Sequence, residues 1–316
     1  MKTAVHNIPL LDPINDGRHT LSSNPYSRES VPYVFVLREE QIVGCPYTWV
    51  DREGVAGGIL FLFGPGVGKD PIVEHFADIK LPPGSNFDDW RVGNIHFSQD
   101  MKMESAKIEV RGKRVDLDCT FEAVHPAYGY GGHVRGCPPW LADNRLEQTG
   151  KMQGVLTLDG RRIPFDTVGY RDHSWGTRDW QSAQHWKWLH AQAGPELAVH
   201  FMEIQALGRV ELRGYVLREG LMAEVAAVEV DFVTDDQYLH HSIDAIVRDT
   251  AGRTTRVAGN FFGHYLLVPG PHTTLNEGGM TCTIDGRAGD GYVEFMWQTA
   301  YIEHIREALR LQKASR

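Results

Sequence analysis

Short β-type runs separated by turn residues extend over most of this chain, and they constrain its fold more than any other feature. The runs are rich in β-branched and aromatic residues, and Gly, Asp or charged pairs separate them. Asp159-Gly160 lies between two such runs, as hairpin turn chemistry requires. The runs that we predict as strands are Pro32–Arg38, Gln41–Val50, Gly58–Phe63, Lys107–Val110, Val115–Ala123, Trp186–Ala193, Leu197–Gln205, Val210–Leu217, Ala223–Val233, Ile243–Asp249, Thr255–Gly263 and Tyr292–Met296.

The spacing of the later runs predicts antiparallel meanders. They recur at intervals of roughly 10–15 residues, which suits strands that close into barrels or sandwiches. Helical periodicity is clear only over Ala300–Gln312, where apolar residues recur at three-to-four spacing before a basic tail. A short helix is also predicted near Pro71–Ala77, and residues 1–30 are predicted to form an irregular arm.

The length of 316 residues exceeds what one compact core usually serves, which favours two domains. The pattern of strands restarts after Asp159-Gly160. We therefore predict a mostly-β chain of two antiparallel β-barrel or sandwich halves. Residues 1–160 form the first half with its irregular arm, and residues 161–316 form the second half, which ends in a helix.

Charge and apolar runs exclude several classes of partner. The net charge of −9 disfavours binding to nucleic acid or to an anionic membrane surface. The longest apolar run, Gly57–Gly64, is far shorter than the ~20 residues that a transmembrane helix needs, and no signal peptide is visible. The four cysteines are scattered and form no CxxC pair, so we expect reduced, buried thiols rather than disulfides or zinc ligands. We predict a cytoplasmic protein without membrane insertion, and homodimer formation stays open.

Sequence motifs favour neither a cofactor nor a metal. Gly64–Lys69 is similar to a phosphate-binding loop, but Phe63 occupies the position of its first glycine and Asp70 replaces its hydroxyl residue. No GxGxxG, GxSxG or HExxH motif is present. His240 and His241 are adjacent, so on a strand they point to opposite faces. A metal site, and with it a metal-dependent hydrolase, would need ligands that converge from distant strands.

Two stretches combine polar, aromatic and glycine residues densely enough to suggest chemistry. The first comprises His125–Trp140 and Asp143–Gly150, and the second is Gly169–Trp180. A carboxylic acid buried among tryptophans has a raised pKa and can donate a proton near neutral pH. Aromatic faces stabilise a developing carbocation. Such a pocket would suit adding water to an alkene, moving a double bond or closing a ring.

The candidate residues come from both stretches, and each has a structural alternative. Asp172 could form a buried ion pair with Arg171 or Arg178, and Trp175 and Trp180 could belong to an ordinary core. His125 and His133 are flanked by Pro and Gly and are predicted to lie on a loop. The predicted catalytic residues are Asp172, His173, Arg178, Glu147 and His133, and the predicted substrate-binding residues are Trp175, Trp180, Tyr128, Tyr130, His125 and Tyr170.

At Asp172-His-Ser-Trp-Gly176, followed by Arg178 and Trp180, the chain resembles the lipocalin-like superfamily of carotenoid 1,2-hydratases and AttH-type proteins. Members carry a similar motif at the start of their second half, and the wider superfamily includes lipocalin-like cyclases. The resemblance implies two calycin-type barrels, an apolar pocket and no cofactor. The chain also looks like uncharacterised bacterial proteins that share the blocks Arg28–Ser30, Asp88–Arg91 and Asp143–Arg145.

The resemblance also implies a function. In the hydratases an acidic residue is thought to protonate an isoprenoid double bond, and by position this role would fall on Asp172. Asp172 could instead hold His173 or Arg178, which would leave proton transfer to Glu147, His133 or Tyr128. The leading hypothesis is a cofactor-independent hydratase or dehydratase, isomerase or cyclase that acts on a terpenoid, steroid or similar hydrophobic small molecule. The alternative is a non-catalytic carrier of a lipophilic ligand.

Overall fold

A computed structural model describes residues 3–8 and 10–315, and the chain forms two compact units. The first unit is built from Ile8–Arg178, and the second from Ala4–Asn7 and Asp179–Arg316. The predicted boundary between residues 160 and 161 lies in the turn of a hairpin that belongs to the first unit throughout. Whether the units are independent domains stays a prediction.

The elements are almost all strands, as the sequence predicts. Short 3-10 turns occur at Pro13–Asp16, Phe87–Asp89, Tyr130–Gly132 and Trp180–Ser182. The strands and the helix are β1 (Ala4–His6), β2 (Ser27–Leu37), β3 (Ile42–Asp51), β4 (Val55–Phe63), β5 (Ile72–Lys80), β6 (Trp90–Val92), β7 (Ile95–Gln99), β8 (Ser105–Arg111), β9 (Val115–Ala123), β10 (Tyr128–Gly129), β11 (Asn144–Leu158), β12 (Arg161–Thr177), β13 (Ala183–Gln192), β14 (Leu197–Ala206), β15 (Arg209–Arg218), β16 (Leu221–Thr234), β17 (His240–Asp249), β18 (Thr254–Gly270), β19 (Thr273–Ile284), β20 (Arg287–Gln298) and α1 (Thr299–Ala314).

The first unit is an antiparallel sheet of two meanders, β2–β5 and β6–β12, which join where β2 pairs with β12. Its strand order is β5-β4-β3-β2-β12-β11-β9-β8-β7-β6, and β10 pairs with β11. The hairpin β11–β12 turns at Asp159 and Gly160, which both have positive φ, so the predicted two-residue turn is confirmed. Alternate residues of β2, such as Val31, Tyr33 and Phe35, are buried in the core that this sheet surrounds.

The second unit is an eight-stranded up-and-down barrel. Each strand from β13 to β20 pairs with its neighbour in sequence, and β13 also pairs with β20, so the ring of pairings closes. β1 adds a short parallel strand to β16. Its core includes Leu189, Phe201, Val247 and Phe295 from four of the strands.

These sheets and the C-terminal helix confirm the predicted mostly-β, barrel-like fold. The prediction of a helix near Pro71–Ala77 is wrong: from Ile72 onward this segment is part of β5, because pairing with β4 outweighs its local preference. The predicted irregular arm is interrupted by β1 and ends at Ser27, where β2 begins. α1 buries Ile302 in the core of the second barrel. In the part of the chain that the structure describes, no helix is long and apolar enough to span a membrane.

Candidate functional site

The segment Gly169–Trp180, which the sequence singles out, lies mostly on β12, whose residues alternate between two faces. Arg171 faces the core, where its guanidinium lies 5.9 Å from the Phe121 ring and its Nη1 donates to Tyr33 Oη at 3.4 Å. Asp172 and Ser174 are on the opposite face. The predicted site residues of β12 are therefore divided between two clusters.

On the face of Asp172, Arg145 bridges two buried carboxylates. Its Nη2 donates to Asp172 Oδ2 at 2.8 Å, and its Nε donates to Glu147 Oε1 at 2.5 Å. Tyr130 Oη also donates to Glu147 Oε1, at 3.3 Å. We call these four residues the Arg145 cluster. Asp172 thus forms a buried ion pair with Arg145.

Asp172 is linked to Arg178 through a serine. Ser174 Oγ donates to Asp172 Oδ1 at 3.3 Å, and Arg178 Nη1 donates to Ser174 Oγ and, at 2.8 Å, to Ser30 Oγ. Burial, followed by repulsion from Arg28, lowers the pKa of Arg178 to about 10, so it remains a cation at neutral pH. Arg171 forms its own buried ion pair, with Asp16 at 2.8 Å.

On the core face of β12, His173 and His19 share the carboxylate of Glu29. Oε1 accepts from His173 Nε2 at 2.8 Å and from His19 Nδ1 at 2.7 Å. Burial raises the pKa of Glu29, but the hydrogen bonds from His173 and His19 outweigh it and hold the pKa at about 2. Burial lowers the pKa of His173 in spite of Glu29. The His19 ring stacks on Trp175 with 3.7 Å between the ring centroids.

His19, Glu29 and His173 are also the residues of the first unit that could hold a metal. Their ligand atoms lie within 4.8 Å of one another, so distant residues do converge here. The Glu29 carboxylate already accepts from the backbone N–H of His19 and from Arg18 Nε at 3.3 Å. These donors satisfy the carboxylate without a cation, and the Arg18 charge opposes one. That the chain binds no metal stays a prediction.

The remaining predicted site residues lie outside these two clusters. His125 and His133 form hydrogen bonds with backbone atoms near them, and Trp180 belongs to the second unit. His125 Nε2 accepts from the Thr149 N–H at 3.0 Å and its Nδ1 donates to Pro126 O at 2.7 Å, while burial lowers its pKa to about 4. His133 is half-buried, and its Nδ1 accepts from the Arg135 N–H at 3.0 Å. Tyr128 and Tyr170 are buried, and the Tyr128 ring lies 5.7 Å from Tyr130. Trp180 belongs to the second unit, where it meets Trp186 edge-on.

The second unit contains a carboxyl pair that the sequence reading missed. Glu277 on β19 lies directly opposite Glu294 on β20, on the face away from the barrel core. Tyr292 Oη donates to Glu277 Oε2 at 2.6 Å, and Trp186 Nε1 donates to Glu294 Oε1 at 2.6 Å. Burial and the nearby charge of Glu294 raise the pKa of Glu277 well above its ordinary value. Burial and the neighbouring Glu294 thus favour the protonated form of Glu277.

Aromatic rings surround this pair. Trp188 meets Tyr292 edge-on with 5.7 Å between ring centroids, and it meets His190 edge-on at 4.7 Å. Glu294 is only half-buried, so the pair is not sealed from its surroundings. This is the chemistry that the sequence reading placed at Asp172, an acid among tryptophans. Two glutamates that face each other across a hairpin would have been the signal, but β19 was not predicted.

Several solved structures have a similar fold, and three of them are given below. An AttH candidate from Nitrosomonas europaea is similar with a TM-score of 0.64 and 14% identity, over 91% of this chain and 96% of that one. CghA, solved with Sch210972, gives 0.62 and 12%, over 87% and 89%. Kievitone hydratase from Nectria haematococca gives 0.58 and 13%, over 94% and 96%. These likenesses support the fold implied by the resemblance.

Sequence comparison places the chain in a family without assigning an activity. No curated protein sequence matches it. The profile of a domain of unknown function, DUF7064, matches residues 12–299, which is most of the chain. The protein therefore belongs to the DUF7064 family.

Proposed function

We propose that the protein is a cofactor-independent acid/base enzyme of the hydratase or dehydratase, isomerase or cyclase type. Its substrate would be a terpenoid, steroid or related apolar small molecule. The observation that carries the proposal is the Glu277–Glu294 pair, because a carboxyl group held neutral by burial beside a second carboxylate is a ready proton donor.

Hydration of a double bond illustrates the chemistry. Glu277 donates its proton to one alkene carbon, and the positive charge develops on the other. The faces of Trp186 and Trp188 can stabilise this charge through their ring quadrupoles. Water then forms the new C–O bond, and its surplus proton passes to a carboxylate of the pair. Proton transfer between Glu294 and Glu277 restores the starting state, so no oxidant, reductant or cofactor is consumed.

The residues predicted from the sequence form a second candidate position for acid/base work. In the Arg145 cluster, Tyr130 is the neutral donor, since burial and Glu147 raise its pKa well above the ordinary value. Asp172, Arg178 and Ser174 would hold a polar group of the substrate. His173 and Trp175 lie on the other face of β12, towards the core of the first unit. They would therefore contact a ligand only if it entered that core.

The fold is consistent with this proposal, since one similar structure is by name a hydratase. Fold alone does not decide chemistry, so the argument rests on the carboxyl pair.

The test compares isosteric variants in a hydration assay. Purified protein is incubated in isotope-labelled water with a panel of terpenoids, steroids and prenylated phenols, and mass spectrometry detects gain or loss of one water. We expect Glu277→Gln to lower turnover of the substrate found by about 10²–10⁴-fold, the usual contribution of a general acid. The exposed Glu303→Gln is the matched control and should turn over normally. Full turnover by folded Glu277→Gln would refute the role of Glu277 as proton donor. If Asp172→Asn lost turnover while Glu277→Gln kept it, the proton donor would instead belong to the Arg145 cluster.

The alternative function is a carrier of a lipophilic ligand. The closed barrel of the second unit favours it, since eight strands leave an interior that holds side chains or one small ligand. Stoichiometric binding without any product, in both wild type and Glu277→Gln, would favour carriage over catalysis.

A further inference from the structure

Inside the barrel of the second unit, four buried side chains carry polar atoms without a hydrogen-bond partner among the described residues. These atoms are His185 Nε2, both ring nitrogens of His240, Asn276 Oδ1 and Trp297 Nε1. The four residues are at most 7% exposed. Buried polar groups are nearly always paired, so several unpaired ones together require an explanation.

The register of the strands brings these side chains onto one surface. His185 is opposite Trp297 across β13 and β20, and Asn276 is opposite Phe295 across β19 and β20. Phe295 and Trp297 are two residues apart on one strand and belong to the barrel core. The side chains of His185, Asn276 and Trp297 therefore face the barrel interior.

His240 joins this surface from β17. Its ring lies 4.6 Å from the Phe295 ring and meets Phe261 edge-on at 4.2 Å. Its Nε2 lies directly over Gly278, where any added Cβ would overlap it. The position of the imidazole thus depends on a glycine of β19, a strand that does not pair with β17. We call His185, His240, Asn276 and Trp297 the barrel polar set.

The hydrogen-bonding character of the set is fixed by its existing bonds. His185 Nδ1 donates to Met296 O at 2.7 Å, so its Nε2 is an acceptor. Asn276 Nδ2 donates to Tyr238 O at 3.2 Å, which leaves Oδ1 as an acceptor, while Trp297 Nε1 can only donate. Burial lowers the pKa of His185 to about 3 and that of His240 well below its ordinary value. Both imidazoles are neutral, so His240 offers one donor and one acceptor.

We infer that the barrel polar set is a binding site for a neutral, hydroxyl-bearing aromatic molecule. A hydroxyl group both donates and accepts, which matches a set that contains both functions. The faces of Phe261, Phe295 and Trp297 match an aromatic ring. Neutral imidazoles supply no charge to a charged ligand, and the nearby Lys187 ammonium is already paired with Glu203 at 2.5 Å.

The site is separate from the carboxyl pair, because Glu277 and Glu294 lie on the opposite face of β19 and β20. In this structure the rings pack against one another, and Tyr301 of α1 stacks on Trp297 at 5.6 Å. A ligand therefore enters when these rings, and the start of α1, move apart. Satisfying the unpaired atoms is the gain that compensates for opening.

The experiment uses 2-naphthol as the probe and naphthalene as its match without the hydroxyl group. Calorimetric titration of the full-length protein at neutral pH should show saturable binding of 2-naphthol at one site. Naphthalene should bind about tenfold more weakly or not at all, the difference that one hydrogen bond of ordinary strength makes. Absence of saturable 2-naphthol binding, or equal affinity for the two probes, would overturn the inference.

Variants locate the probe. His185→Phe and Asn276→Leu, each checked for folding by near-UV circular dichroism, should weaken 2-naphthol binding about tenfold. The exposed His241→Phe is the matched control and should bind as wild type does. Glu277→Gln should also bind normally, which separates this site from the proposed catalytic one. Unchanged binding in both His185→Phe and Asn276→Leu would place the probe elsewhere and refute the assignment. If neither variant folds, the preference for 2-naphthol over naphthalene decides.

Discussion

Replacing Glu277 by Gln should make the protein more stable, increasingly so as the pH rises. In the folded state burial and Glu294 raise the pKa of Glu277 well above 4.5, whereas the unfolded chain ionises it near the ordinary value. Between its unfolded and folded pKa values, Glu277 therefore binds more protons in the folded state than in the unfolded state. A group with a raised folded pKa contributes stability at low pH, and that contribution is lost as the pH rises towards the folded pKa.

The magnitude follows from proton linkage. One extra proton in the folded state lowers the free energy of unfolding by about 1.4 kcal/mol for each pH unit between the unfolded and folded pKa values. Glutamine keeps the shape and does not titrate, so Glu277→Gln lacks this slope. The difference in stability between variant and wild type should therefore grow as the pH rises above about 5, with a limiting slope of about 1.4 kcal/mol per pH unit. The titrations of the buried histidines cancel in this difference.

Urea unfolding at several pH values, followed by tryptophan fluorescence, measures this difference. Glu303→Gln changes an exposed glutamate of α1 and should follow the wild-type pH profile. If Glu277→Gln and wild type keep a constant difference in free energy from pH 5 to pH 7, then Glu277 is ionised in the folded protein. The neutral acid on which the proposed function depends would then not exist.

Three further effects follow from two buried polar residues of the first unit, Arg145 and His125, and from Gly278. Arg145→Met should cost about 3–5 kcal/mol in urea unfolding, because it leaves the Asp172 and Glu147 carboxylates buried without their cation, and adding Asp172→Asn should recover part of the loss. The low folded pKa of His125 (about 4) should reduce the free energy of unfolding by about 3 kcal/mol as the pH falls from 6.5 to 4, because only the unfolded chain gains a proton at this residue in that range. His125→Gln should flatten this part of the stability profile, and an unchanged profile would contradict the prediction. Gly278→Ala should lower the thermal midpoint by displacing the His240 ring, at a cost of about 1–3 kcal/mol. Gly270→Ala is the matched control, because Gly270 has open space around it and, like Gly278, no positive φ.

The sequence by itself determined the class of fold. Two-residue periodicity and turns such as Asp159-Gly160 are local signals, and strands joined by short turns pair with their sequence neighbours. Most of β2–β4, β8, β9 and β13–β18 could be located in this way. β5 was mistaken for a helix, and β11, β12 and β19 are absent from the predicted strands, because pairing with a neighbouring strand decides the conformation of these residues.

The site depended more on tertiary structure. The sequence identified Asp172, His173, Arg178 and Glu147 as polar residues that a barrel would bury, but burial does not specify a partner. Only the folded structure decided that Arg145 neutralises Asp172, that Glu29 joins His173, and that Glu277 lies opposite a second carboxylate. A pKa depends on charges and solvent within a few ångströms, which residues distant in sequence supply. Composition therefore indicated which residue types would lie together, whereas the partner and the pKa of each residue depend on the tertiary structure.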